Sequence, residues 1–128
     1  MACAFRWIVL FAGLIVPTAA ATATDKPRAL ACDIGPVKRT FGNTEWLVLS
    51  CSDRRTVIIY SMPDNPASPY YFMAFPQGRD GVRLQGQGIG DKKGSRPALK
   101  ELRALSAKDI SALVKETRGV ARQSRSMP

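Results

Sequence analysis

The chain has 128 residues, 19 Lys and Arg against 10 Asp and Glu, no histidine and a formal charge of +9. That length holds one compact domain and little more. Without imidazole it lacks the usual general base, proton shuttle and commonest metal ligand, so histidine-based catalysis and histidine metal sites are excluded from the outset.

The first residues read as a secretory leader. Arg6 precedes the apolar run 7–16, and Pro17 and a string of small residues follow. One positive charge, a ten-residue apolar centre and Ala-x-Ala sites near residues 19–23 fit a cleaved signal peptide over residues 1–23. The apolar run is short for a bilayer span, so the mature chain should hold no transmembrane segment. An uncleaved anchor using residues 7–23 is the alternative. Residues 24–30 should form a flexible segment before a single domain over residues 31–119. Export to the periplasm or the extracellular space is the expected localisation. A lipid-attachment reading of Ala29, Leu30, Ala31 and Cys32 fits less well. Asp25, Lys26 and Arg28 part the cysteine from the apolar run, and Cys51 would be stranded.

Cleavage would remove Cys3 and leave Cys32 and Cys51, an even pair suited to an oxidising compartment. Between them lies a turn at residues 40–43. Antiparallel pairing keeps a constant index sum, so a four-residue loop there puts Cys32 directly opposite Cys51. A two-residue loop at Gly42 and Asn43 makes them diagonal neighbours. Either register suits a disulfide, worth roughly 3 kcal/mol by loop-closure entropy; two free buried thiols are the alternative. Pro36 cannot donate to a ladder, so the first strand should break there or lie at an edge.

Residues 45–50 and 56–61 are rich in β-branched and apolar side chains and should pair across a turn containing Asp53. The run Val57, Ile58, Ile59 and Tyr60 suits a strand that is central or covered on both faces. Pro63, Pro66 and Pro69 stiffen the next loop, a connector rather than a docking motif for proline readers. Residues 70–75 form an aromatic strand, and a glycine-bounded turn returns the chain along residues 82–89. Gly86, Gly88 and Gly90 alternate there. Close packing is the reading of this pattern; a nucleotide loop would need a βαβ unit and a different glycine spacing.

Two short helices should follow. Ser95 can cap the first, beginning near Pro97 with Leu99 and Leu102 on one face. Ser106 and Asp109 form a capping box for the second, with Leu105 stapled onto Ile110. Ile110, Leu113, Val114 and Thr117 make its buried face, and Gly119 should stop it. Residues 120–128 then form a disordered basic tail. The fold expected is α+β: a four- to five-stranded antiparallel meander, one disulfide, and two C-terminal helices on one face.

Catalysis is not expected. The two mature cysteines are spent on the crosslink and form no C-x-x-C pair. Scattered carboxylates make a poor zinc site, S-x-x-K is absent, and no serine sits in a nucleophile elbow. No metal or cofactor is therefore implied. The sequence suits a small non-catalytic domain that binds an envelope or extracellular protein, through loop residues Asp64 and Asn65 and turn residues Arg79 and Asp80. An alternative follows from charge. Residues 24–91 carry eight basic and seven acidic side chains, whereas residues 92–128 carry ten and three. Lys92, Lys93, Arg96, Lys100, Lys108, Lys115 and Arg118, with Arg122 and Arg125, could meet a polyanion or an anionic membrane surface. The same charges could simply solvate a helix and favour its dipole. Sequence-specific nucleic-acid recognition is not indicated.

Overall fold

The computed structural model describes residues 12–18, 20 and 29–127. Most of the expected leader, its cleavage positions and residues 24–28 of the linker lie outside these. Five strands come first: β1 (Ile34–Phe41), β2 (Thr44–Ser50), β3 (Val57–Ser61), β4 (Tyr70–Gln77) and β5 (Gly81–Gly88). Two helices follow, α1 (Lys92–Arg103) and α2 (Ala107–Ser126). The strands form one antiparallel sheet in chain order, with β3 central and β1 and β5 at the edges. Both helices pack on one face, α2 across β1 and β2 and α1 against β1 and β5.

Turn chemistry sets the first hairpin. Gly42 and Asn43 have φ of 58° and 60°, the doubly left-handed geometry that closes a two-residue hairpin. Phe41 accordingly faces Thr44, and Val37 faces Val48. This is the shorter of the two loops considered. The pairing then slips between Ile34 and Val37, at Pro36, which has no N–H to give. Beyond the slip the amide of Ser52 donates to the carbonyl of Ala31 at 2.7 Å. The slip moves the pairing one residue toward the direct register, with Ile34 facing Ser50, and the Cys32 and Cys51 Cα atoms stand 3.8 Å apart with their sulfurs bonded.

The inner sheet face is the core. Trp46, Val48, Val57, Ile59, Phe72 and Ala74 project toward the helices and meet Ala98, Leu102, Ile110, Leu113 and Val114. Each large side chain buried there contributes about 1.5–3 kcal/mol. Trp46 lies 5.4 Å from the Phe72 ring centroid and donates its indole N–H to the Phe41 carbonyl. Gly86 lies under an aromatic ring: a Cβ there would come within 2.5 Å of the Tyr70 hydroxyl. Close packing therefore accounts for this member of the alternating glycines.

Both helices depart from their expected bounds. α1 starts at Lys92, capped by the carboxylate of Asp91 on the Lys93 amide. Ser95 is buried inside it rather than capping it, and Pro97 is an internal residue. Packing holds that proline in the helix: the Gly42 turn sits against Pro97 and Ala98 so closely that a Cβ would meet them at 2.4–2.6 Å. α2 opens with the capping box of Ser106 and Asp109, as expected. It does not stop at Gly119, which keeps helical backbone, and it runs on to Ser126. Residues 120–126, expected as a disordered tail, are two further turns of helix. An αL glycine ends a helix only where the chain needs to turn there, and Val120 and Ala121 stay half-buried along the same axis.

Candidate functional site

Two surfaces stand out once the core is closed. The first is the outer face of the sheet, opposite the helices. Cross-strand pairing assembles it in rows. One row reads Lys38, Leu47, Tyr60, Tyr71 and Gln87, and the next reads Leu49, Ile58, Met73 and Gln85. Phe75 and Arg83 continue a third. Each row is apolar in the middle and polar toward an edge strand, the arrangement of an interface core with its rim. Antiparallel sheets usually put polar side chains on a solvent face, whereas here Leu47, Leu49, Tyr71, Met73 and Phe75 are only half-buried. Ile58 is 3% exposed although neither α1 nor α2 covers it; its neighbours shield it. Tyr60, at 39%, is the open side of the patch, and its ring lies 5.9 Å from that of Tyr71. The Tyr71 hydroxyl donates to Gln87 at 3.0 Å, which fixes the ring at the rim.

The second surface is a cleft of about 310 Å³ lined by Ile34, Arg54, Lys115, Arg118, Ala121, Arg122 and Arg125. The four α2 cations fall at i, i+3, i+7 and i+10, one stripe of a helix. Their alignment depends on α2 continuing past Gly119. Arg54 comes from the β2–β3 turn with φ 60°. That turn is held by Asp53, whose carboxylate accepts from the Arg55 amide, the Thr56 amide and the Thr56 hydroxyl at 2.6–2.9 Å. Burial pushes this carboxyl up, but the bonds from Thr56 and Arg55 outweigh it and hold its pKa below the ordinary 3.8. Across the cleft, Nη2 of Arg118 donates to the Cys51 carbonyl at 3.2 Å, and its buried Nε has no hydrogen-bond partner. A disulfide residue, a turn and a helix thus converge on one concavity.

The residues singled out from sequence are dispersed by the fold. Asn65 is buried and its amide is taken up, donating to the Glu45 carbonyl and accepting from the Ala67 amide. It is therefore a loop brace, and of that pair only Asp64 is exposed. Arg79 and Asp80 are exposed in the β4–β5 turn. β4 separates the two loops by roughly 25 Å at 3.3 Å per residue, so they do not form one contact. Lys115 and Arg118 are brought together in the cleft; Lys92, Lys93, Arg96, Lys100 and Lys108 are exposed and do not line it. Sequence reasoning missed Arg54 and the uncovered sheet face. The repeat of cations at 115, 118, 122 and 125 was the signal available for the stripe.

Three acids are engaged in local structure: Asp53 in its turn, Asp91 as a cap, and Asp109 in the capping box. The backbone and hydroxyl of Ser106 both donate to Asp109 and lower its pKa. Among the described residues no group of three or more His, Cys, Asp or Glu side chains is placed to hold a metal, and no helix is long and apolar enough to cross a membrane. Comparison with protein-family models, curated proteins and solved structures returned no match to this chain.

Proposed function

We propose that this is a small exported, non-catalytic domain that binds another protein through the outer face of its sheet. The observation that carries the reading is the apolar patch around Ile58, flanked by Tyr60, Tyr71, Met73 and Phe75 on the face opposite α1 and α2. Contiguous apolar surface of this kind marks a contact site, and tyrosines supply large, rigid, amphipathic contact area. The partner it fits presents an apolar surface with carboxylates at its margin. Lys38 and Arg83 stand exposed at opposite edges of the patch, and Glu45 is the acid that shares the face. Export is supported by the leader-like first residues and by the disulfide, which persists in oxidising compartments. The non-catalytic reading rests on how reactive groups are spent: Cys32 and Cys51 in the crosslink, and Asp53, Asp91 and Asp109 in a turn and two caps.

The test is site-specific photocrosslinking in producing cells. A photoreactive side chain at Tyr60 or Tyr71 should give one heterologous adduct, and the same group at Lys100 on α1 should give none. Tyr71→Asp should abolish the Tyr60 adduct while leaving the melting curve within a few degrees. Equal labelling from Lys100, or no adduct from either tyrosine, would refute the reading. An adduct of twice the chain's own mass would assign the face to a second copy instead.

A further inference from the structure

We infer that the basic cleft between the β2–β3 turn and the C-terminal half of α2 is a binding site for a phosphate-bearing ligand. This inference uses different residues from the outer sheet face and stands apart from it.

Four arginines and a lysine meet around about 310 Å³ with no acidic residue in the lining. Among the described residues the one ion pair is Arg39 with Glu116, and neither of these lines the cleft. Gathering like charges is unfavourable unless an anion neutralises them. Simple explanations account for part of the cluster only. The helix dipole rewards a cation in the last turn, which covers Arg125. It does not cover Lys115, in the middle of the helix, or Arg54, which reaches the cleft from another element. Solvation of a helix face would not need Arg54 in a left-handed turn, braced by Asp53 and opposite the stripe.

The choice of side chain narrows the ligand. A guanidinium presents a planar fork that matches phosphate oxygens in pairs. Arg118 is already oriented by its bond to the Cys51 carbonyl. A single carboxylate brings one charge, whereas phosphoryl groups bring up to two each and three acceptor oxygens, a better match to five cations. Nucleic acid fits less well, because no aromatic side chain lines the cleft to stack a base. The ligand class is one or two neighbouring phosphoryl groups, presented either by a soluble phosphate compound or by a lipid headgroup at a membrane surface.

The experiment titrates the full mature protein with inorganic pyrophosphate by calorimetry at moderate salt. In parallel it measures cosedimentation with phosphatidylcholine vesicles with and without phosphatidic acid. Pyrophosphate should bind at one site, and the Arg54→Gln, Arg122→Gln double variant should weaken it at least tenfold. A charge-matched control outside the cleft, Lys93→Gln with Lys100→Gln, should change it less than threefold, as should Tyr71→Asp on the outer face. Binding to phosphatidic acid vesicles that the cleft variant abolishes, without pyrophosphate binding, would assign the phosphate to a lipid headgroup and still support the site. Equal weakening by the charge-matched control would overturn the inference in favour of diffuse electrostatics. So would failure of both probes to bind a protein with an unchanged melting curve.

Discussion

Gly42→Ala should unsettle the domain for two separable reasons. Its φ of 58° lies in the left-handed region, which costs an alanine about 1–2 kcal/mol. A Cβ would also fall 2.4 Å from the Ala98 amide nitrogen and 2.6 Å from Pro97, both on α1. Reaching an ordinary contact near 3.4 Å needs a displacement of about 1 Å, and forcing a packed element aside costs a further 1–3 kcal/mol or so. The expected total is about 2–5 kcal/mol. For a domain this size that lowers the melting temperature by at least about 10 °C. Asn43→Ala supplies the internal control, because Asn43 shares the left-handed φ but is exposed. It should cost only the conformational part, so the difference between the two variants isolates the contact with α1. Thermal melts of both, followed by far-ultraviolet circular dichroism, decide the matter. Equal losses would show that α1 does not seat on the hairpin turn as described.

Other outcomes follow from the same geometry. Reducing the Cys32–Cys51 bond, whose partners are 19 residues apart, should destabilise by up to about 3 kcal/mol; a melt indifferent to reductant would contradict the crosslink. Ser106→Ala should cost about 1 kcal/mol by removing the cap on the Asp109 amide, read as a lower denaturation midpoint. Gly119→Ala should stabilise by about 0.5–1 kcal/mol, because the glycine is helical and a Cβ there meets nothing within 4 Å; a loss of stability would mean that α2 ends earlier. Asp53 contributes in the acid direction. Its folded pKa lies below the ordinary 3.8, so its stabilisation is complete above that value and fades as the pH falls through the folded value. Asp53→Asn should flatten that part of the stability–pH curve, and an unchanged acid limb would count against the turn as drawn.

Much of the architecture could be read from local chemistry. The paired β-branched runs, the glycine turn at 42–43 and the capping box of Ser106 and Asp109 each act over a few residues, so short-range rules apply. What escaped were features decided by distant partners. Pro97 resembles a helix start until the hairpin turn is seen to hold it inside α1. Gly119 resembles a stop because its permissive backbone is visible in sequence and the packing of Val120 and Ala121 is not. The slip at Pro36 depends on how two strands share their bonds. Arg54 meets the arginine stripe only because the disulfide-bearing end of β2 lies beside α2. The outer face was obscured for a simpler reason. Residues 57–60 and 70–75 are apolar at nearly every position, and such runs do not say which face a helix will cover.

The topology has a consequence for how the molecule comes together. Every strand bonds to its neighbour in the chain, so the sheet can be laid down progressively from the first hairpin, with short loops to close at each step. Yet the element that roofs β1 and β2 is α2, the last helix to be made. In a chain delivered amino end first, the tryptophan-lined side waits uncovered until the final turns arrive. Shortening the carboxyl end would thus remove the lid from the beginning of the fold.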